Sequence, residues 1–64
     1  MTDERALLHK LVLQAEAIQE LARQAREHLG SPDPDIIAVA DKLLGVRTEA
    51  RLALHYAADI AASR

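Results

Sequence analysis

GSPDPD, residues 30–35, lies near the middle of this 64-residue chain and decides its fold. A proline has no backbone N–H and pushes the residue before it towards extended geometry, so Pro32 and Pro34 prevent a helix from continuing through this stretch. Gly30 suits the left-handed position just past a helix, and Asp33 suits the cap of a second helix whose first residue is Pro34. The stretch therefore predicts a tight turn between two helices.

The chain on either side of this turn has a composition typical of helix. Alanine and leucine dominate, and Tyr56 is the only aromatic residue. Thr2 is a good cap for the first helix, because its hydroxyl can accept from a free N–H group. We predict an all-α fold in a single domain, residues 1–64, with a helix over 3–29, a turn over 30–33 and a helix over 34–62.

Each half carries a stripe of apolar residues at alternating steps of three and four, which is the spacing of a left-handed packed helix pair. The first stripe is Leu8, Leu11, Ala15, Ile18, Ala22, Ala25 and Leu29, and the second is Ile36, Val39, Leu43, Val46, Ala50, Ala53, Ala57 and Ile60. These stripes predict an antiparallel two-helix hairpin in which they face each other. Gly45 lies within the second helix and is expected on its outer face, where it need not break the helix.

Such a hairpin has a small core for a chain of this length, and with no cysteine it has no disulfide to support it. Further apolar residues remain outside the predicted seam and form the predicted interaction surface: Leu7, Val12, Leu13, Ile37, Leu44, Leu52, Leu54 and Tyr56. We therefore expect self-association as a homodimer that forms a four-helix bundle, because twofold closure is the commonest way to complete such an assembly.

The sequence offers little that would support catalysis. It lacks the Glu-x-x-His spacing of metal sites in helical bundles, so no metal or cofactor is expected. Arg51, His55 and Asp59 are four residues apart and could include an acid/base pair, but a solvated salt-bridge row is favoured because no nucleophile accompanies them. Glu20, Arg23 and Glu27 are interpreted as an exposed charge ladder. We predict a non-enzymatic protein.

Nucleic-acid binding is the alternative. Dimerisation could align arginines that the net charge of −2 conceals, namely Arg23, Arg26, Arg47 and Arg51. Acidic neighbours and the absence of stacking aromatics count against such a strip. In its length, central turn and paired heptads the chain resembles the plasmid RNA-binding modulator Rop, which implies a dimeric four-helix bundle and an RNA-binding regulator. The resemblance lies in the architecture, so no RNA-contact residue is transferred.

The amino terminus is acidic, and charges interrupt every apolar run before the length of a membrane span. The sequence thus predicts a cytoplasmic protein that acts as a small protein–protein interaction or regulatory module. A separate protein partner is compatible with the same exposed residues. The sequence does not identify that partner, the pathway or the topology of the dimer.

Overall fold

A computed structural model describes residues 3–64, which form two helices and no strand. Helix α1 spans Glu4–Leu29 and helix α2 spans Ile36–Ala62. The two helices pack against each other as a hairpin about 51 Å long, which confirms the predicted all-α fold. Neither helix combines the length and the apolar character needed to cross a membrane.

Helix α1 is capped at both ends by groups that its own sequence supplies. The Asp3 carboxylate accepts from the backbone N–H of Arg5 at 3.1 Å, whereas the predicted cap, Thr2, lies outside the described residues. At the other end the Gly30 N–H donates to the carbonyl of Arg26 at 3.1 Å. Gly30 has φ −76° and ψ −8°, so the expectation of a left-handed glycine was wrong. A right-handed residue continues the helical turn and reaches the same carbonyl oxygens.

Helix α2 begins two residues later than predicted. Its cap is Asp35, whose Oδ1 accepts from the Ala38 N–H at 3.1 Å. Asp33 remains in the turn, where its N–H donates to the Ser31 hydroxyl at 3.4 Å. The prediction that Asp33 caps a helix starting at Pro34 was therefore wrong. Asp35 has the extended backbone of a cap. The residues after it are not prolines, so each has an N–H group, and the Asp35 carboxylate can accept from the first of these open groups.

The helices meet along a stripe that is only partly apolar. Among the described residues four side chains are buried, Leu7, Ala25, Val39 and Ile60. Together with half-buried residues they form one stripe on each helix at alternating steps of three and four. The half-buried members are Glu4, Leu11, Gln14, Ile18, Leu21 and His28 on α1, and Lys42, Val46, Glu49, Ala53 and Tyr56 on α2. These residues form the intramolecular seam.

The observed seam differs from the predicted one by a rotation of each helix. Every second member of the predicted stripes is retained, for example Ile18 and Val46, which are half-buried as expected. The other members, such as Leu8 and Leu43, are exposed except for the half-buried Ala50, and the seam instead takes the residue one position earlier. Since a residue occupies 100° of an α-helix, the contact line has shifted by roughly 50° on both helices.

Gly45 gives a physical reason for this rotation. A Cβ atom at Gly45 would lie 3.1 Å from Leu21 Cδ1, so the missing side chain makes room for Leu21 against α2. Leu21 therefore enters the seam in place of Ala22, which is exposed. The expectation that Gly45 lies on the outer face was wrong, because this glycine is half-buried at the edge of the helix contact.

We expect Asp35→Ala to lower the free energy of unfolding by about 1 kcal/mol, because it leaves a helix N–H without its acceptor. Asp33→Ala is the matched control and should change stability much less. Urea denaturation followed by circular dichroism at one fixed protein concentration measures both. Equal losses for the two variants would contradict the assignment of Asp35 as the cap.

Gly45→Leu should lower the free energy of unfolding by about 1 to 3 kcal/mol, because the new side chain overfills the space that Leu21 occupies. Gly45→Ala should be neutral or stabilising, since the flexible end of Leu21 can move by a few tenths of an ångström while alanine favours the helix by about 1 kcal/mol. Thermal melts of both variants test this ordering, and a leucine variant as stable as the alanine variant would refute the close contact.

Candidate interaction surface

The rotation of the helices brings eight apolar residues to one side of the hairpin. On α1 and on α2 each of them lies one position after a residue that faces the partner helix or, for Ile36, after the cap of α2. In an antiparallel pair, residues with this relation to the seam lie on the same side for both helices. We call this set the apolar face: Leu8, Ala15, Ala22 and Leu29 of α1, and Ile36, Leu43, Ala50 and Ala57 of α2.

The apolar face is open to solvent in the single hairpin. Its four large side chains are between 43% and 62% exposed, and of its alanines only Ala50 is half-buried. No charged residue interrupts it, and Val12 and Leu54 extend it at the open end of the hairpin. The opposite side of the seam carries polar residues such as Lys10, Gln24 and Asp59. The apolar face is therefore the candidate interaction surface, because contiguous exposed apolar patches often mark contact sites.

The accessible area of the hairpin is large for its mass. The hairpin exposes 4994 Å² at a mass of 7.0 kDa. A compact monomer of that mass exposes about 4,000 Å². The excess of roughly 1,000 Å² is close to the area of about 800 Å² that one partner contributes to a standard protein–protein interface.

The structure distributes the predicted interaction residues around the whole hairpin. Leu7 is buried and Tyr56 half-buried in the seam, so neither is available on the surface as the sequence suggested. The reason is the same rotation, which turns both inward and places the Lys10 ammonium 5.5 Å from the Tyr56 ring centre. Of the exposed predicted residues, two extend the apolar face and four lie elsewhere: Val12 and Leu54 in the first group, and Leu13, Ile37, Leu44 and Leu52 in the second.

Sequence reasoning missed the large residues of the apolar face because it assigned them to the intramolecular seam. They are Leu8, Leu29, Ile36 and Leu43, and all four are exposed. The signal that could have identified them is the apolar pair at Leu7 and Leu8. Either member fits a helix stripe, so the spacing alone allows two neighbouring stripes.

The candidate nucleic-acid contacts do not form one strip on the hairpin. Arg23 and Arg51 occupy the outermost position of α1 and α2 respectively, so by helical position they point away from each other. Arg26 and Arg47 border the apolar face. Arg23 and Arg26 do meet, at an open depression of about 420 Å³ whose lining also includes Gln19 and Ala22.

Arg23 is already engaged by two carboxylates. Its Nε donates to Glu20 Oε2 at 2.9 Å, and a second nitrogen pairs with Glu27. This confirms the predicted charge ladder. Hydrogen bonds from Arg23, and then from Gln24 at 3.0 Å, lower the pKa of Glu20 from 4.5 to about 2. The same pair raises the pKa of Arg23. A guanidinium held by two acids is a weak point of attraction for phosphate.

The His55 and Asp59 pair lies on the surface. His55 Nε2 is 3.8 Å from Asp59 Oδ2, and the His55 side chain is 72% exposed. An acid/base pair requires a position that reaches a bound substrate, and this pair faces solvent. In the part of the chain that the structure describes, no three histidine or acidic side chains group together as metal ligands.

Comparison of the chain with models of protein families, with curated proteins and with solved structures finds no significant match.

The pKa of Glu20 provides a direct test of the charge ladder. Because the folded pKa is lowered, the pair stabilises the fold above pH 4.5, and this contribution disappears as the pH falls towards 2. Arg23→Gln should return the Glu20 pKa towards 4.5, as measured by NMR titration of the side-chain carboxyl carbon. Arg51→Gln is the control and should leave that pKa low. A Glu20 pKa that is the same in both variants would contradict the pairing.

Proposed function

We propose that this protein is a small non-enzymatic interaction or regulatory module that works as a homodimer in a four-helix bundle. The single observation that carries the proposal is the exposed apolar face. Covering a Leu or Ile side chain is worth about 1.5 to 3 kcal/mol, and a symmetric contact covers such residues on both chains at once. The face therefore supplies a driving force for association that the hairpin does not use internally.

The size of the internal core supports this proposal. Of the four side chains buried among residues 3–64 one is an alanine, and the seam includes charged residues such as Lys42 and Glu49. A core of this kind barely offsets the entropy lost when residues 3–64 become ordered. Dimerisation adds a second apolar layer, which is the usual solution for helices of this length.

The proposed role as an interaction module rests on apolar residues that the dimer contact would leave free. Ile37 is 81% exposed and lies with Leu44 on the outside of α2, away from the apolar face. Two copies in a dimer would present this pair twice, and such residues suit contact with another protein.

Binding to RNA or DNA is the less favoured function. The resemblance to Rop concerns architecture, and a fold alone does not carry a function. Arg23 is paired with Glu20 and Glu27, and Arg51 lies on the opposite edge of the hairpin. The remaining pair, Arg26 and Arg47, borders an apolar surface that the proposed dimer would cover in part.

The dimer can be tested with two neighbouring leucines that are equally exposed in the hairpin. Leu43, in the apolar face, is 52% exposed, and Leu44, on the outside of α2, is 51% exposed. We expect sedimentation equilibrium at micromolar concentration to give twice the chain mass for the unmodified protein and for Leu44→Glu. Leu43→Glu should give the mass of one chain or a dissociation constant at least 100-fold higher, because it brings an unpaired carboxylate into the contact.

A folded monomer for the unmodified protein at this concentration would refute the proposed dimer. Equal weakening by both glutamate variants would show that the contact does not use the apolar face. Circular dichroism of each variant, recorded at the same concentration, separates loss of the dimer from loss of helix.

A further inference from the structure

The apolar face has a specific order of large and small residues along the hairpin. Residues whose numbers sum to about 65 lie at similar heights in the antiparallel pair, as Leu21 against Gly45 shows. The layer next to the turn is therefore Leu29 with Ile36, and both residues are large. The next layer towards the open end has one large residue, Leu43 beside Ala22. The third layer, Ala15 beside Ala50, has no large residue. The last layer, Leu8 beside Ala57, has one large residue.

A second copy could cover this face with its turn at the same end or at the opposite end. With both turns at the same end, each layer meets the identical layer of the second copy. Leu29 and Ile36 would then meet a second Leu29 and Ile36 in an overfilled layer, whereas Ala15 and Ala50 would meet a second pair of alanines. Such a contact forces the helices apart at one layer and leaves a gap at another, and both defects are destabilising.

With the turns at opposite ends, the volumes are shared more evenly. The layer of Leu29 and Ile36 meets Leu8 and Ala57 of the second copy. The layer of Leu43 and Ala22 meets the two alanines of the third layer, so Leu43 enters the space that they leave. Every layer then contains at least one large residue and at least one alanine, which allows uniform spacing between the helices.

Charged residues at the border of the apolar face favour the same-end arrangement, but their effect on stability is smaller than that of the layer volumes. With the turns at opposite ends, Arg47 lies near Arg47 of the second copy, whereas the same-end arrangement places Arg47 beside Gln19. Exposed charges contribute little to stability and are screened by salt, whereas cavities and overfilled layers cost more. The layer volumes therefore decide the orientation.

We infer that the partner of the apolar face is a second copy of this chain whose turn lies at the opposite end of the bundle. This inference rests on the proposed homodimer and adds its topology. In this orientation Leu43 of each copy packs against Ala15 and Ala50 of the other copy. Helix α1 of one copy lies beside α1 of the other. A same-end dimer would instead place α1 beside α2.

Spin labels can measure this orientation because the natural sequence has no cysteine. Ser31 in the turn and Ser63 past the end of α2 are exposed and can each be replaced by a labelled cysteine. From the rise of 1.5 Å per residue, opposite ends predict a separation of about 40 Å between labels on Ser31→Cys and a longer one on Ser63→Cys. The same-end arrangement predicts less than about 20 Å at both sites.

Double electron–electron resonance on each labelled variant, with its mass checked by sedimentation, gives distinct outcomes. Long distances at both sites support the inference. Short distances in a particle of twice the chain mass overturn the orientation while the proposed dimer stands. Absence of a dipolar signal in a particle of one chain mass overturns both proposals.

Discussion

The structure depends on a geometric constraint: a helix in a two-helix hairpin can turn only one narrow stripe towards its single neighbour. Both helices here have apolar residues on more than one stripe. Leu7 and Leu8 are adjacent, as are Leu43 and Leu44, and residues adjacent in a helix are 100° apart. Whichever stripe turns inward, another remains outside. The choice between stripes therefore determines both the seam and the surface available to a partner.

The turn and the helix ends could be predicted from the sequence because they depend on local chemistry. Pro32 and Pro34 exclude helix through steric effects within two residues, and this part of the prediction is confirmed by helices that end at Leu29 and begin at Ile36. The error lay in which aspartate caps α2. Asp33 and Asp35 have the same side chain beside a proline, and only the path of the backbone decides which carboxylate reaches an open N–H group.

The apolar face could not be identified from the sequence, since its residues have the spacing expected for the seam. Counting apolar residues selects the stripe through Leu8 and Leu43, because it contains no polar residue. The observed seam instead includes Gln14 and Glu49. The deciding contact, Leu21 against Gly45, involves two residues far apart in sequence, so helical periodicity within either helix does not encode it. The four arginines show the same limit, because their grouping depends on how the helices are rotated.

The seam contains polar residues, whereas the stripe that is entirely apolar lies on the outside of the hairpin. The Gln14 side-chain oxygen is buried and finds no hydrogen-bond donor among residues 3–64. A buried acceptor without a partner is destabilising, so a molecule that worked as an isolated hairpin would gain by turning its all-apolar stripe inward. The arrangement becomes favourable when the outer stripe is covered by a second chain, because apolar surface is then buried on both chains. The proposed twofold bundle would meet this condition, and it would leave the less apolar stripe for the contact within each chain, where the short turn already holds the helices together.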